Sequence, residues 1–235
     1  LITDVYLSSD LIDIEHATAV ASIIISQEDG EFRGLAPDSE LYCVGISSDN
    51  DLFVGVEKLL DAGVNVINMS AGGWDYPGTA DRWVDHLAIN HSVHFVKSAG
   101  NTGDAVTSPG YAYNIFTVGN LDDNNTEGLS DDVLHITSAY HELNLSNYIS
   151  TNKPELVAPG TSINTSPYPY AILPQATVYL QSRENDLTVF AYTTGTSFAA
   201  PHVTGIIAQL LEDRPSLKVL QDTMKAILTA AVSHP

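Results

Sequence analysis

The feature of this sequence that most restricts its fold is an alternation of short apolar runs with segments of helical periodicity. The apolar runs predict buried strands at 41–46, 64–68, 93–96, 115–118 and 156–158. Helices are predicted at 17–25, 51–62 and 79–90, and two more at about 197–211 and 216–231, with a hairpin at 177–193. Strands that alternate with helices pair in parallel through right-handed crossovers. We therefore predict an α/β fold, doubly wound, with a mostly parallel central sheet and helices on both faces.

The length of 235 residues suits one domain of this kind, so we predict a single domain over residues 1–235. The sequence starts in mid-pattern at Leu1 and shows no signal peptide. We expect a segment of a longer protein, lacking one or more N-terminal strands of the fold. Because no run of 18 apolar residues occurs, we expect no insertion into a membrane.

The charge of the chain is strongly unbalanced. Nine Lys and Arg residues stand against 29 Asp and Glu residues, which gives a formal net charge of −20. Such a field repels phosphate backbones and anionic lipid surfaces, so nucleic acid is not expected as a partner. The same field attracts cations and basic peptides, although an acidic solvated surface is the simpler interpretation.

The chain contains one cysteine, Cys43, so no internal disulfide can form. Cys43 stands within the strand-like run at 41–46, where a thiol usually serves as a small buried apolar group. We therefore expect a packing role rather than a reactive thiol.

Two glycine-rich segments follow predicted strands. They are Ser70-Ala71-Gly72-Gly73 and Ser98-Ala99-Gly100-Asn101. In a doubly wound fold the carboxyl ends of the strands form the working edge, and small residues there let another backbone approach. An extended peptide could add along residues 70–72 through main-chain hydrogen bonds. Taken alone, each segment fits an ordinary strand-to-helix turn equally well.

A third segment, at 194–205, opens a strongly apolar helix. Ser197 would lie at the amino end of that helix, where free N–H groups and the helix dipole stabilise developing negative charge. Pro201 is expected in the first turn, where a proline needs no intrahelical amide. A nucleophile benefits from this position because its own N–H can help to hold an oxyanion.

The pattern Gly-Thr-Ser-Phe-Ala-Ala-Pro-His-Val-Thr-Gly at 195–205 resembles the nucleophile motif of the subtilisin-like serine peptidases. His-Ala-Thr-Ala-Val-Ala-Ser at 16–22 resembles the histidine motif of that family, and Ser-Ala-Gly-Asn at 98–101 its oxyanion segment. Residues 34–37 and 153–160 resemble two further family segments. Their order and spacing agree from His16 to about Ala231.

The resemblance implies a serine endopeptidase that acts on polypeptides. Ser197 would attack the scissile carbonyl, His16 would act as general base, and Asn101 would stabilise the oxyanion together with the Ser197 N–H. The residues that would bind substrate are Ser70, Ala71, Gly72 and Gly100. The resemblance also implies an inhibitory propeptide as a partner and a secreted or cell-surface location.

The family motif Asp-Ser/Thr-Gly, which supplies the acid of the catalytic triad, does not occur in the sequence. Asp4, Asp10 and Asp13 precede His16 but lack the flanking residues of that motif. Either the acid lies upstream of residue 1 or the site lacks it. The alternative function is therefore a catalytically impaired pseudopeptidase that binds peptides or regulates a partner.

The chemistry of this family needs no cofactor, and none is expected here. The loop at 26–33 does not resemble the calcium-binding loop of many relatives. Its acidic residues Glu28, Asp29 and Glu31 offer oxygen ligands of the type that Ca²⁺ prefers. A calcium ion in this loop is a weaker expectation.

Overall fold

The computed structural model describes residues 2–6, 14–27, 33–46, 48–72, 78–140, 152–165 and 191–231. The chain forms two compact units. The first comprises Leu1–Val64 and Asn164–Tyr192, and the second comprises Asn65–Ile163 and Thr193–Pro235. Most of the hairpin predicted at 177–193 lies outside the described residues.

The first unit contains two strands and two helices. They are β1 (Ile2–Tyr6), α1 (Ile14–Ile25), β2 (Leu41–Val44) and α2 (Asp49–Asp61). β1 and β2 run parallel, with Ile2 opposite Leu41 and Tyr6 opposite Val44. The strand–helix–strand order is that of a crossover unit.

Helix α2 has clear signals at both ends. The hydroxyl of Ser48 accepts a hydrogen bond from the Asp51 N–H at 3.2 Å and so caps the start. Gly63, with a φ of 78°, follows the end of the helix. Leu52 and Val56, one turn apart, are buried and supply the apolar face.

The second unit is built on a five-stranded sheet. Its elements in chain order are β3 (Val66–Met69), α3 (Thr79–His91), β4 (His94–Ser98), β5 (Phe116–Asp122), β6 (Val133–Leu134), β7 (Leu156–Pro159), α4 (Thr196–Asp213) and α5 (Gln221–Ala231). β3, β4, β5 and β6 are successive neighbours, and β7 also pairs with β5. All of these pairings are parallel except β5 with β6. Two short strands, β8 (Ile163–Thr165) and β9 (Ala191–Thr193), pair separately.

The core of the second unit lies between the sheet and α4. Buried apolar side chains of β4, β5 and β7 meet one face of α4 and the last part of the chain. They are Val96, Phe116, Val118, Leu156, Ala158, Ala199, Ala200, Val203, Ile207, Leu211, Leu217, Met224 and Leu228. This packing fixes the amino end of α4 against the strands β4 and β7.

The α/β fold predicted from sequence is confirmed, with a mostly parallel sheet and helices at the expected places. The helix predicted at 216–231 is wrong over its first part. Pro215–Val219 form a 3₁₀-helix, and α5 begins at Gln221. The backbone N–H of Leu217 donates to the Arg214 carbonyl, and the N–H of Leu220 donates to the Leu217 carbonyl. This three-residue spacing is that of a 3₁₀ turn.

Candidate active site

Ser197 is the second residue of α4 and is half-buried. Two of the first three N–H groups of the helix are taken: Thr196 donates to the Asn101 side chain and Phe198 to the Gly195 carbonyl, both at 2.9 Å. The Ser197 N–H lies between them, at a helix end where N–H groups have no intrahelical acceptor. This position suits a group that stabilises negative charge.

Asn101 is tied to the same helix end. Its Oδ1 accepts hydrogen bonds from the Thr196 N–H at 2.9 Å and from the Thr196 hydroxyl at 3.1 Å. Because a backbone N–H can only donate, the oxygen of the carboxamide must face Thr196. The amide nitrogen Nδ2 therefore points away from Thr196. The Thr196 hydroxyl also accepts a hydrogen bond from the Gly100 N–H at 3.1 Å. The buried Thr196 therefore joins the loop after β4 to the residue before Ser197.

Gly100 and Gly195 both have backbone conformations that favour glycine. Their φ angles are 116° and 151°. A β-carbon at Gly195 would lie 3.4 Å from Asn101 Nδ2. The absence of a side chain at Gly195 keeps the space beside the Asn101 carboxamide open.

Ser70 contacts the backbone of Ser197 from the end of β3. Its hydroxyl donates to the Ser197 carbonyl oxygen at 2.7 Å and accepts from Asn68 Nδ2 at 2.9 Å. Asn68 Oδ1 accepts a hydrogen bond at 3.0 Å from the hydroxyl of Thr204, which lies further along α4 than Ser197. This chain of bonds fixes the orientation of the Asn68 carboxamide and of the Ser70 hydroxyl.

The position predicted for Pro201 is wrong. α4 begins at Thr196, so Pro201 lies inside the helix rather than in its first turn. At that place a proline removes the hydrogen bond that its N–H would give to the residue four before it, Ser197. The Ser70 hydroxyl supplies the missing donor to the Ser197 carbonyl. The proline is therefore tolerated because a side chain of β3 satisfies the freed carbonyl.

Ala71 and Gly72, which follow Ser70, are exposed, whereas Gly100 is half-buried. The side chain of Thr107 separates the two glycines. A β-carbon at Gly72 would lie 3.3 Å from Thr107 Oγ1, and one at Gly100 would lie 3.0 Å from Thr107 Cγ2. The structure thus brings Ser70, Gly72 and Gly100 close to the start of α4.

His16 lies in the first unit, in the first turn of α1, and is half-buried. The carboxyl end of α1 is held by the residues that follow its loop. The N–H groups of Gly34, Leu35 and Ala36 donate to the carbonyls of Ser26, Ile23 and Ile24 at 2.8, 3.0 and 2.7 Å. A β-carbon at Gly34 would meet the Ile24 carbonyl oxygen at 2.6 Å, so the position requires glycine. These contacts fix the helix that carries His16.

Two other histidines lie in the second unit, of which His94 is buried and His202 is half-buried. His202 Nδ1 donates to the Phe198 carbonyl at 2.8 Å, and burial lowers the pKa of His202 below its usual range. His94 Nε2 contacts the Leu217 carbonyl at 3.1 Å, and burial also lowers the pKa of His94. The lowered pKa favours the neutral imidazole in both residues, and we infer a structural role for His202.

Sequence reasoning missed a buried polar network beside the candidate site. Lys97, the fourth residue of β4, has 0% of its surface exposed, and its Nζ lies 3.4 Å from Thr107 Oγ1. The buried Asp81 carboxylate accepts from the Ser108 hydroxyl at 2.5 Å and from the Tyr111 N–H at 3.0 Å. The signal for Lys97 was present, since a charged residue ends the apolar run 93–96. Nothing local in the sequence identifies the partners of Asp81, which lie 27 and 30 residues away.

Cys43 in β2 is half-buried, and burial raises the pKa of its thiol to about 11. The thiol is therefore protonated at neutral pH, which agrees with a packing role.

Several expectations fall on parts of the chain that the structure does not describe. The side chains of Asp4, Asp10 and Asp13 lie outside the described residues, and so do Glu28, Asp29 and Glu31 of the predicted calcium loop. Within the described ranges, no group of three or more His, Cys, Asp or Glu side chains is placed to hold a metal ion. None of the helices described there is both long and apolar enough to cross a membrane.

Known proteins resemble this chain over nearly its whole length. Serine protease AprX of Bacillus subtilis (strain 168) is 28% identical over 246 residues, which cover 92% of this chain and 52% of AprX. Fervidolysin of Fervidobacterium pennivorans is 29% identical over 226 residues, which cover 88% of this chain and 30% of Fervidolysin. The chain therefore spans about half the length of the first relative and less of the second.

Solved structures show the same fold. The self-cleaved protease domain of PatA matches with a TM-score of 0.68 and 25% identity, over 97% of this chain and 80% of that domain. The prenylagaramide maturation protease PagA also gives a TM-score of 0.68 and 25% identity, over 94% of this chain and 73% of PagA. The sequence model of the Subtilase family matches residues 8–234. The chain therefore belongs to the subtilase family, as its motifs at 16–22, 98–101 and 195–205 predict.

Proposed function

We propose that the protein is a serine endopeptidase in which Ser197 is the nucleophile, His16 the general base and Asn101 an oxyanion donor. The observation that carries this proposal is the double contact of Thr196 with Asn101 Oδ1. This contact turns Nδ2 away from Thr196 and holds the carboxamide beside the N–H of Ser197. With Oδ1 bound to Thr196, Nδ2 and the Ser197 N–H would be the two donors that acyl transfer requires.

In the proposed reaction, Ser197 Oγ attacks the carbonyl carbon of a peptide bond while His16 accepts the hydroxyl proton. The carbonyl oxygen becomes an oxyanion and receives hydrogen bonds from the Ser197 N–H and from Asn101 Nδ2. His16 then returns the proton to the leaving amine, which leaves an acyl group on Ser197. A water molecule, deprotonated by His16, hydrolyses the ester in the second half of the reaction.

The substrate would bind as an extended strand along residues 70–72. Ala71 and Gly72 are exposed, and their main-chain groups suit pairing with a peptide backbone. Binding through the main chain accepts many sequences, which is the behaviour of an endopeptidase on polypeptides. Ser70 supports this edge through its hydrogen bond to the Ser197 carbonyl.

The second candidate function is a pseudopeptidase that keeps the groove for binding or regulation. The observation that favours it is the absence of an Asp-Ser/Thr-Gly motif in the sequence. In subtilisin, loss of the acid alone lowers kcat by about 3 × 10⁴. The histidine, asparagine and nucleophile motifs are all present, which favours an active peptidase over this alternative.

The family relationship also supports proposals about the setting of the protein. AprX, PatA and PagA are named as proteases, and the PatA domain is described as self-cleaved. By analogy, we propose a secreted or cell-surface protein with an inhibitory propeptide. The reaction itself needs no cofactor, and a calcium ion near residues 28–31 stays a prediction.

Hydrolysis by the natural full-length protein tests the proposed function. We expect cleavage of an unfolded protein such as reduced casein, and loss of about 10⁶ in kcat in Ser197→Ala and in His16→Ala. His91→Ala, an exposed residue in the last turn of α3, is the matched control and should keep full activity. A folded wild-type protein with no hydrolysis would establish the pseudopeptidase instead.

A further inference from the structure

The buried Lys97 has a position that the proposed reaction does not use. Its side chain is 0% exposed, and its ammonium group contacts the Ser98 carbonyl, the Ser98 hydroxyl at 3.3 Å and the Thr107 hydroxyl at 3.4 Å. No described carboxylate lies within ion-pair distance of it. A fully buried lysine without a direct anionic partner is rare, and such groups concentrate at functional sites.

Thr107 connects this lysine to the predicted substrate groove. The Thr107 side chain lies 3.3 Å from where a β-carbon at Gly72 would stand and 3.0 Å from the equivalent point at Gly100. The hydroxyl thus lies between the two segments that flank the groove, and Lys97 lies directly behind it. A β-carbon at either glycine would contact the Thr107 side chain.

The side chain of a bound substrate would point to this space. This step rests on the proposed function, in which the attacked carbonyl lies between Ser197 and Asn101 and the peptide extends along residues 70–72. The residue that carries that carbonyl, called P1, then has its side chain between Gly72 and Gly100. Thr107 forms the base of the space that receives it.

The Thr107 hydroxyl is able to change its partner without leaving a carbonyl unsatisfied. It donates to the Ala99 carbonyl over a long 3.3 Å, while the Thr107 N–H donates to the same carbonyl at 2.9 Å. If the hydroxyl proton turns to a ligand, Ala99 keeps the stronger backbone bond. A substrate carboxylate at the bottom of this space would then accept a hydrogen bond from the Thr107 hydroxyl, which the Lys97 ammonium group polarises.

We propose that Lys97 and Thr107 form the bottom of the P1 pocket and make it selective for acidic side chains. The protein then prefers substrates with glutamate or aspartate at P1. Thr107 donates directly to the side-chain carboxylate, and Lys97 supplies the compensating positive charge from behind. Charge-assisted hydrogen bonds in a dry site are about twice as strong as neutral ones. The pocket selects against neutral side chains because they leave the buried ammonium without an anion.

The acidic surface of the protein does not oppose this selection inside the pocket. The net charge of −20 acts over the whole surface, where salt screens it within about 8 Å at physiological ionic strength. Lys97 is one hydroxyl away from the bound carboxylate and is shielded from solvent. The surface field affects encounter rates, whereas the local charge decides which P1 residue fits.

The test compares glutamate with glutamine at P1, two side chains of equal shape. In the natural full-length protein, kcat/KM for otherwise identical peptides should favour glutamate by about 10- to 100-fold at pH 6. Lys97→Met and Thr107→Val should each reduce this ratio to within a few-fold of one, through a larger loss for the glutamate peptide than for the glutamine peptide. Equal loss for both peptides would show a purely structural role and overturn the proposal.

A binding measurement separates this proposal from the proposed function. Fluorescence anisotropy with Ser197→Ala measures the affinity for product peptides that end in glutamate or in glutamine. Tighter binding of the glutamate peptide, lost in Lys97→Met, supports the acid-selective pocket even if no peptide is hydrolysed. Hydrolysis of glutamine and glutamate peptides at equal rates, or equal or no binding of both, overturns the pocket and leaves the peptidase assignment to its own test.

Discussion

The hydroxyl of Ser70 donates a hydrogen bond to the backbone carbonyl of Ser197 at 2.7 Å, between residues 127 positions apart in the chain. The bond is needed because Pro201 has no N–H to offer that carbonyl. A residue of the predicted substrate edge therefore supports the residue proposed as nucleophile. The two roles proposed for this part of the fold, substrate binding and catalysis, therefore share this contact.

We predict that Ser70→Ala lowers the free energy of unfolding by about 1 kcal/mol, since it leaves the Ser197 carbonyl without a donor. In the Pro201→Ala background the same substitution should cost less, because an alanine N–H at 201 can bond to Ser197 within the helix. Urea unfolding of the four proteins in a double-mutant cycle measures the difference. Equal effects of Ser70→Ala in both backgrounds would mean that the two residues do not share this carbonyl.

Asn101→Asp separates the two arms of the carboxamide. The oxygen that accepts from Thr196 is kept, whereas the donor proposed for the oxyanion is replaced by an acceptor. We predict that kcat falls by about 10²–10³, or more because of the added charge, with KM nearly unchanged. Steady-state kinetics on one peptide give the result, and circular dichroism checks the fold. A change confined to KM would place Asn101 in substrate binding only.

The Asp81 carboxylate should be a major stabiliser of the second unit. It is 5% exposed and accepts from the Gly78 N–H at 2.8 Å, the Ser108 hydroxyl and the Tyr111 N–H. Asp81→Ala leaves these donors without their acceptor, so we predict a loss of about 3 kcal/mol or more in urea unfolding.

Asp85→Ala, one turn further along α3, is the matched control for Asp81. Asp85 is half-buried and accepts from the backbone and side chain of Asn114 at 2.7 and 3.2 Å. We expect it to lose about 1 kcal/mol. Similar losses for the two variants would contradict the central role given to Asp81.

The preference for glutamate at P1 should depend on pH. Burial lowers the pKa of Lys97 from 10.5 to about 7, and the Asp81 carboxylate opposes this shift. Among the described residues Asp81 is the titratable group whose charge acts on Lys97, so the ammonium is charged below about pH 7 and neutral above it. The ratio of kcat/KM for glutamate over glutamine should therefore fall as pH rises through about 7.

The protonation state of His16 affects both peptides equally and cancels in this ratio. The substrate carboxylate, with an ordinary pKa of about 4.3, stays ionised over the measured range. In Lys97→Met the ratio should be flat with pH. A wild-type ratio that stays constant or rises between about pH 5.5 and 8.5 would contradict the assignment of the charge to Lys97.

Much of this fold could be predicted from the sequence because its signals are local. Apolar runs such as 93–96 mark the strands, and Gly63 marks the end of α2. The helix that starts beside Ser197 was predicted for the same reason. The prediction that Pro201 lies in the first turn of the helix is wrong. The donor that makes a proline tolerable inside the helix is the Ser70 hydroxyl, which is far away in the sequence.

The site could be predicted only in part, for a related reason. Ser197, His16 and Asn101 stand in motifs whose residue types repeat across a family, so their roles can be proposed from sequence. Lys97 and Thr107 stand in no such motif, and their meaning depends on a contact across ten residues that only folding creates.

Reaction of the natural full-length protein with a fluorophosphonate, followed by peptide mapping, tests the central claim most directly. We expect a single phosphonylated residue, Ser197, and a rate of labelling that falls by orders of magnitude in His16→Ala because the hydroxyl loses its base. Folded protein that stays unlabelled at Ser197, or that reacts equally fast without His16, would contradict it.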